Sequence, residues 1–181
     1  MSDNIFRRLV VLGLIVTLIL TPVGVAAYPA DSHLKETDVT LNDLNFLKPV
    51  KIEKTCELSR PKLVGSKLIL DEGKVKGSIS SRILHCAAVA YNAVGMVLFR
   101  LDLYVEWAYD GSRIIWVDYW SSASAYYGWV VDYHRASVSY ASQTRWRITA
   151  TGSYYFAPYP NLRGYLITHG TIYSSGTGSC S

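Results

Sequence analysis

The feature that most restricts the fold is a two-residue rhythm that starts near residue 62 and runs almost to the end of this 181-residue chain. Its clearest stretch is "VLFRLDLYVEWAY", where Val97, Phe99, Leu101, Leu103, Val105, Trp107 and Tyr109 alternate with Arg100, Asp102, Tyr104 and Glu106. Successive side chains of a strand point to opposite faces, so the odd set is expected in a core and the even set in water. The same period marks strands at 62–70, 74–80, 82–92, 96–109, 113–123, 127–134, 137–142, 145–156 and 164–173. Turn-forming stretches separate them: "DEGK", "NAVG", "YDGS", "APYPN" and "SSGTGS". Links this short suit antiparallel pairing, because parallel strands need long crossovers. The expected fold is therefore all-β, an antiparallel β-sandwich or jelly-roll-like double sheet. Composition agrees: 14 Tyr and 5 Trp suit a pleated surface, and charged residues make up only 18%, below the roughly 25% usual for soluble domains.

Ahead of the domain, residues 1–27 place Arg7 and Arg8 before an apolar run and end on Val25, Ala26 and Ala27. This is the pattern of a signal peptide, cut after Ala27. The alternative is an uncleaved anchor, since the run approaches the roughly 20 residues that cross a bilayer. Both place the domain outside the cell, secreted in one case and N-terminally anchored in the other. Residues 28–61 are more polar and interrupted by Pro29, Pro49 and Pro61, which predicts an extended lead-in. "TLNDLNFLKP" within it predicts one short helix, capped by Thr40 with Leu41, Leu44 and Leu47 on one face. The β-sandwich domain is then 62–181.

Loss of Arg7, Arg8 and Asp3 with the signal segment lowers the formal charge from +4 to +3. The basic residues are scattered, which argues against a nucleic-acid partner. Three cysteines, Cys56, Cys86 and Cys180, imply one disulfide and an odd thiol outside the cytoplasm. The favoured pairing joins Cys56 to Cys86 and pins the N-terminal segment to the sheet; the rival joins Cys86 to Cys180 and fastens the Gly/Ser tail. No Cys/His spacing suggests a metal site, and His85 and Cys86, as strand neighbours, point to opposite faces.

Asp102, Glu106, Asp110 and Asp118 invite a catalytic reading. Asp102 and Glu106 lie about 13 Å apart along one strand, beyond the roughly 5–10 Å at which two carboxylates cooperate in glycoside hydrolysis. Asp110 and Gly111 fit a three-residue hairpin loop, which pairs odd positions with odd and places Ile115, Val117 and Tyr119 in the core beside Val105, Leu103 and Leu101. Asp118 then faces outward with Trp116 and Trp120. A two-residue turn would instead bury both tryptophans. Asp132 and His134 in "VVDYHRASVS" sit near serines, but no nucleophile elbow accompanies them. In "RWRITATGSYYF", Trp146, Ile148, Ala150, Tyr154 and Phe156 are expected inward, with Arg145, Arg147, Thr149, Thr151 and Ser153 outward, as a guarded edge or an anion-facing stripe.

No catalytic constellation, metal or cofactor follows from these patterns, so binding is expected rather than catalysis. Tyr104, Trp116 and Trp120 group on the polar face, where the ordinary explanation is cover by a second sheet or the N-terminal segment, and the functional one is a stacking surface for a ligand. The leading expectation is a secreted, non-catalytic binding or surface-associated domain with a cell-surface glycan as ligand, Tyr104, Trp116 and Trp120 stacking on it and Arg145 and Arg147 as an anion contact. The alternatives are a structural, self-assembling surface protein that pairs with another protein chain, and a secreted toxin or antimicrobial. A membrane contact is expected only through an uncleaved signal segment.

Overall fold

The computed structural model describes residues 45–66 and 78–181. The signal segment, most of the polar lead-in before Asn45, and the expected "DEGK" turn lie outside the described residues. Among the described residues a 3-10 turn, Asn45–Leu47, precedes nine strands: β1 Lys51–Leu58, β2 Lys62–Ser66, β3 Ser78–Tyr91, β4 Val97–Tyr109, β5 Ile114–Ala125, β6 Trp129–Ala141, β7 Arg145–Phe156, β8 Tyr159–Tyr173 and β9 Gly178–Cys180. Of the short helix expected around Leu41–Leu47, the described part is this one turn, and Leu47 is buried with its carbonyl accepting from Trp129 Nε1 at 3.2 Å.

All pairings are antiparallel. The first sheet runs β1-β3-β4-β5, with β2 also on β3; the second runs β6-β7-β8-β9. The two pack face to face as a β-sandwich, β3 and β4 over β8 and β7. From Phe99 onward the alternation of β4 sorts its faces as expected, with Phe99, Leu101, Leu103, Val105 and Trp107 fully buried between the sheets. Val97, expected inward, lies on the outer face and Leu98 is buried in its place, because the β3–β4 register shifts there. From β7, Ile148, Ala150, Tyr154 and Phe156 meet the buried β4 side chains in the same cluster, with Trp146 packed at its margin.

Aromatic rings knit the layers at one end. Phe99 stacks on Tyr154 at 4.4 Å and leans on Trp129 at 4.8 Å. Gly164 lets them close, since a Cβ there would stand 2.4 Å from Phe99 Cζ. The Tyr154 hydroxyl donates to the carbonyl of Arg100 at 2.7 Å. Burial, with the nearby negative charge of Asp102, raises that hydroxyl well above the ordinary tyrosine range.

Two details of the chain differ from expectation. The β4–β5 loop is Asp110 to Arg113, one residue longer than the three-residue loop, and the ladder pairs Val105 with Tyr119 and Trp107 with Val117. A bulge between Ala108 and Tyr109 preserves the odd-to-odd parity, so Val117 and Tyr119 keep the core face while every rung moves along by four positions. Ile115, expected in the core, falls in the bulge and is 40% exposed, and Ile114 packs against the core in its place. Second, the segments read separately at 127–134 and 137–142 form the single strand β6, with bulges between Val131 and Tyr133 and between Val138 and Tyr140 absorbing the broken rhythm.

Asp110 closes the long loop by accepting at Oδ1 from Ser112 N, Ser112 Oγ and Arg113 N. The Ser112 hydroxyl first, then these backbone donors, lower its carboxyl to about 2. A carboxyl depressed in the folded state stabilises above its unfolded value and loses that contribution as pH falls through the folded one. Asp110→Ala is therefore expected to cost about 1 kcal/mol at neutral pH. In urea titrations the variant and the parent should converge as pH falls from 3.8 to about 2; a gap that persists below that range refutes the assignment.

Candidate functional site

One rung crosses the outer face of the first sheet through four strands: Glu57 on β1, His85 on β3, Tyr104 on β4 and Trp120 on β5 are successive register partners. Antiparallel register brings such residues within about 4.5–5.5 Å at Cβ. The three rings stand as a column, His85 on Tyr104 at 4.4 Å and 4°, Tyr104 on Trp120 at 5.3 Å and 12°. Tyr104 thus has both faces covered and offers its edge and hydroxyl, whereas Trp120, at the edge strand, ends the column and is 43% exposed.

The next rungs are Ala87, Asp102 and Ser122, then Val89, Arg100 and Ser124. Asp102 was expected in water, and although it lies on the outer face it is enclosed, with its side chain 10% exposed. Arg100 grips it with both arms, Nε to Oδ2 at 2.8 Å and Nη2 to Oδ1 at 2.7 Å, while His85 Nε2 stands 2.6 Å from Oδ1. Burial alone would raise the carboxyl, but the hydrogen bonds and charges of Arg100 and His85 outweigh it and hold Asp102 below the ordinary range. His85 Nδ1 faces Glu57 at 3.8 Å. A neutral His85 that donates to Asp102 carries a lone pair on that side, the orientation of a general base. Among the described residues no hydroxyl or thiol hydrogen-bonds to its imidazole, so the nucleophile such a base would serve is absent there.

On the other side of the ring column, Glu106 and Asp118 are register partners across β4 and β5. Like charges directly opposite on a sheet are destabilising. The expected register set them apart, which is why the sequence alone hid this pair. Trp116, Asp118 and Trp120 alternate along the outer face of β5, so the two tryptophans bracket the acidic rung, and Trp116 is 40% exposed. The second sheet packs on the opposite face and covers neither tryptophan.

Beyond Arg100 the same face opens into a cleft of about 360 Å³ lined by Val89, Tyr91, Val97, Arg100, Tyr126 and Tyr127. Tyr127 takes φ +53° and Gly128 φ +84°, and Trp129 N donates back to Tyr126 O at 3.1 Å. Two consecutive left-handed residues make the tight turn that favours Asn-Gly. A tyrosine in the first position costs on the order of 1 kcal/mol, and its ring lies on the cleft wall. From Trp116 to Tyr126 the face extends about 33 Å at 3.3 Å per residue.

Arg145 and Arg147 lie elsewhere, on β7 of the second sheet, where Arg145 sits over the rings of Tyr140 and Tyr173 at 5.7 and 5.9 Å. They do not join Tyr104, Trp116 and Trp120 in one site. The β6 bulge likewise parts Asp132 from His134: Asp132 accepts from Arg163 at 2.8 Å and Ser153 at 3.3 Å, while His134 Nδ1 meets Ser121 Oγ at 3.0 Å. That serine–histidine pair has no carboxylate on the other ring nitrogen among the described residues.

The cysteines meet at the β1/β9 margin of the sandwich, Cys86 buried and Cys56 exposed. Cys56 and Cys86 are register partners on one face, and Cys180 reaches both from β9 of the facing sheet. The favoured Cys56–Cys86 bond is corrected: the two bonding contacts are Cys56 with Cys180 and Cys86 with Cys180. The three sulfurs also form a group of metal-ligating geometry, all within 4.8 Å of one another. Sequence spacing gave no sign of it, because the third ligand comes from the other sheet.

No family model, curated protein or solved structure matches this chain.

Proposed function

We propose that the outer face of the first sheet binds a neutral, hydroxyl-rich glycan of a cell surface or wall, and that the protein works outside the cell behind its signal segment. One observation carries this reading: exposed Trp116 and Trp120 bracket the Glu106–Asp118 rung on a single edge strand. Indole faces take the apolar faces of sugar rings, and carboxylates between them accept hydrogen bonds from hydroxyls. A like-charge rung is costly by itself and is relieved by a donor-rich ligand. The charge of the face selects among polymers. Glu53, Glu57, Asp102, Glu106 and Asp118 outnumber Lys51, Lys62 and Arg100 there, and Arg100 is already engaged by Asp102. A polyanion would be repelled, so the arginine stripe of the second sheet is not part of this site.

Hydrolysis is a weaker use of the same rung. Cross-strand carboxylates come near the roughly 5–5.5 Å of retaining glycosidases, but Asp118 is exposed on an open face with no wall to exclude water.

The test is retention on insoluble neutral polysaccharide. The double variant Trp116→Ala/Trp120→Ala is expected to bind at least tenfold more weakly, about 1.4 kcal/mol, with an unchanged far-UV spectrum. Arg145→Ala/Arg147→Ala should bind like the parent. Retention that survives loss of both tryptophans overturns the proposal, and release of reducing ends that Glu106→Gln abolishes would replace binding with hydrolysis.

A further inference from the structure

We propose that Cys56, Cys86 and Cys180 form an internal thiol–disulfide exchange site, in which the bond joining the two sheets shifts between Cys86–Cys180 and Cys56–Cys180. A sulfur holds one disulfide at a time, so Cys180 cannot keep both of its contacts as bonds, and one cysteine of the three is always a thiol. The backbone favours neither choice. Cα separations are 5.6 Å for Cys56 with Cys180 and 5.7 Å for Cys86 with Cys180, both at the usual disulfide span of about 5.5–6 Å. Because Cys56 and Cys86 are register partners on one face, the displaced thiol stays beside the bond it has left.

The step is balanced without an added oxidant. The Cys56 thiolate attacks Cys180 Sγ, the Cys56–Cys180 bond forms as Cys86–Cys180 breaks, and Cys86 leaves as a thiolate that takes up the proton Cys56 gave to solvent. The number of disulfides is unchanged. Lys54 occupies the next inward-facing position beside Cys56 on β1, a cation placed to favour the attacking thiolate.

The exchange moves reactivity between two environments. Cys86 is fully buried, whereas Cys56 is exposed on the edge strand β1. With Cys86–Cys180 bonded, Cys56 presents a surface thiol open to a small disulfide or an alkylating reagent. With Cys56–Cys180 bonded, the thiol is withdrawn into the core. The site is thus a modification site whose accessibility is set by its own disulfide.

Non-reducing tryptic mapping of the oxidised full chain tests this directly, because the three cysteines fall in separate peptides, 55–62, 83–100 and 164–181. Protein denatured and alkylated in acid should show 164–181 linked to 83–100 in some molecules and to 55–62 in others, each with the alkyl group on the remaining cysteine. Native protein held with iodoacetamide near pH 8, where thiolates react, should drain into the single species alkylated at Cys56 with Cys86–Cys180 bonded. Cys56→Ser should remove native labelling, and Cys86→Ser should retain the Cys56–Cys180 link. The wild-type map decides the matter even where a variant fails to fold. One linkage that persists through native alkylation without draining, a Cys56–Cys86 link, or a metal held by three thiols with no linked peptides would each overturn the proposal.

Discussion

Trp107→Ala is expected to lower the unfolding free energy by about 3–5 kcal/mol, the range for deleting a large aromatic from a packed core. Trp107 is fully buried, lies against Tyr109 with ring centroids 6.1 Å apart, and its indole nitrogen donates to the carbonyl of Tyr173 at 3.2 Å on β8 of the facing sheet. Removal opens a cavity between the sheets and takes one of two donors from that carbonyl, which still accepts from Gly176 N at 3.0 Å. For a chain of this size the loss corresponds to about 6–20 °C in Tm. Trp107→Phe separates the two contributions, because it keeps much of the apolar volume and loses the donor, and the lost hydrogen bond should cost about 1 kcal/mol. Thermal and urea unfolding check both variants. A Trp107→Ala protein within about 1 kcal/mol of the parent would mean that β4 does not bury its odd side chains, and the sandwich would be wrong.

Asp102→Ala acts on the opposite face of the same strand and is expected to cost about 2 kcal/mol at pH 7. Removing one partner of a buried ion pair costs about 3–5 kcal/mol, but the Arg100 side chain is 40% exposed and water recovers part of the loss. Asp102→Asn keeps the shape and loses the charge, so its cost should depend on acidity. The folded carboxyl sits below its ordinary 3.8, so its contribution is complete above that value and disappears as pH falls through the lower folded one. Parent and Asp102→Asn should therefore differ at neutral pH and converge in acid. A difference independent of pH would show that Asp102 matters only for its shape. Loss of the carboxylate also frees His85 to turn out of its stack on Tyr104, so glycan retention should weaken less than in the tryptophan double variant, whose indoles are removed outright.

Much of the fold was legible because local chemistry dictates it. Alternation in "VLFRLDLYVEWAY" assigned both faces of β4 from Phe99 to Trp107, and the same rhythm in "RWRITATGSYYF" assigned the inward set of β7. The strand at Lys51–Leu58 was not legible: it lies at an edge, where most of its side chains stay exposed and the alternation fades. The strand at Gly178–Cys180 hid in a Gly/Ser tail that pairs only because β8 offers its edge. The bulges in β6 disguised one long strand as two, since an extra residue inverts the period without ending the ladder.

The sequence by itself determined that Trp116, Asp118 and Trp120 share one face of β5; that this face is the wet one rested on the loop, since a two-residue turn would have buried both tryptophans. Only the tertiary structure decided which residues face one another across strands and sheets. A ladder can slide by whole pairs without exposing the core, so alternation leaves the register open while the loop and its bulge settle it. That choice set Glu106 opposite Asp118 and His85 beside Tyr104, seventeen residues from the Asp102 that His85 engages. The packing of one sheet on the other then carried Cys180 to both Cys56 and Cys86, a meeting no spacing along the chain encodes.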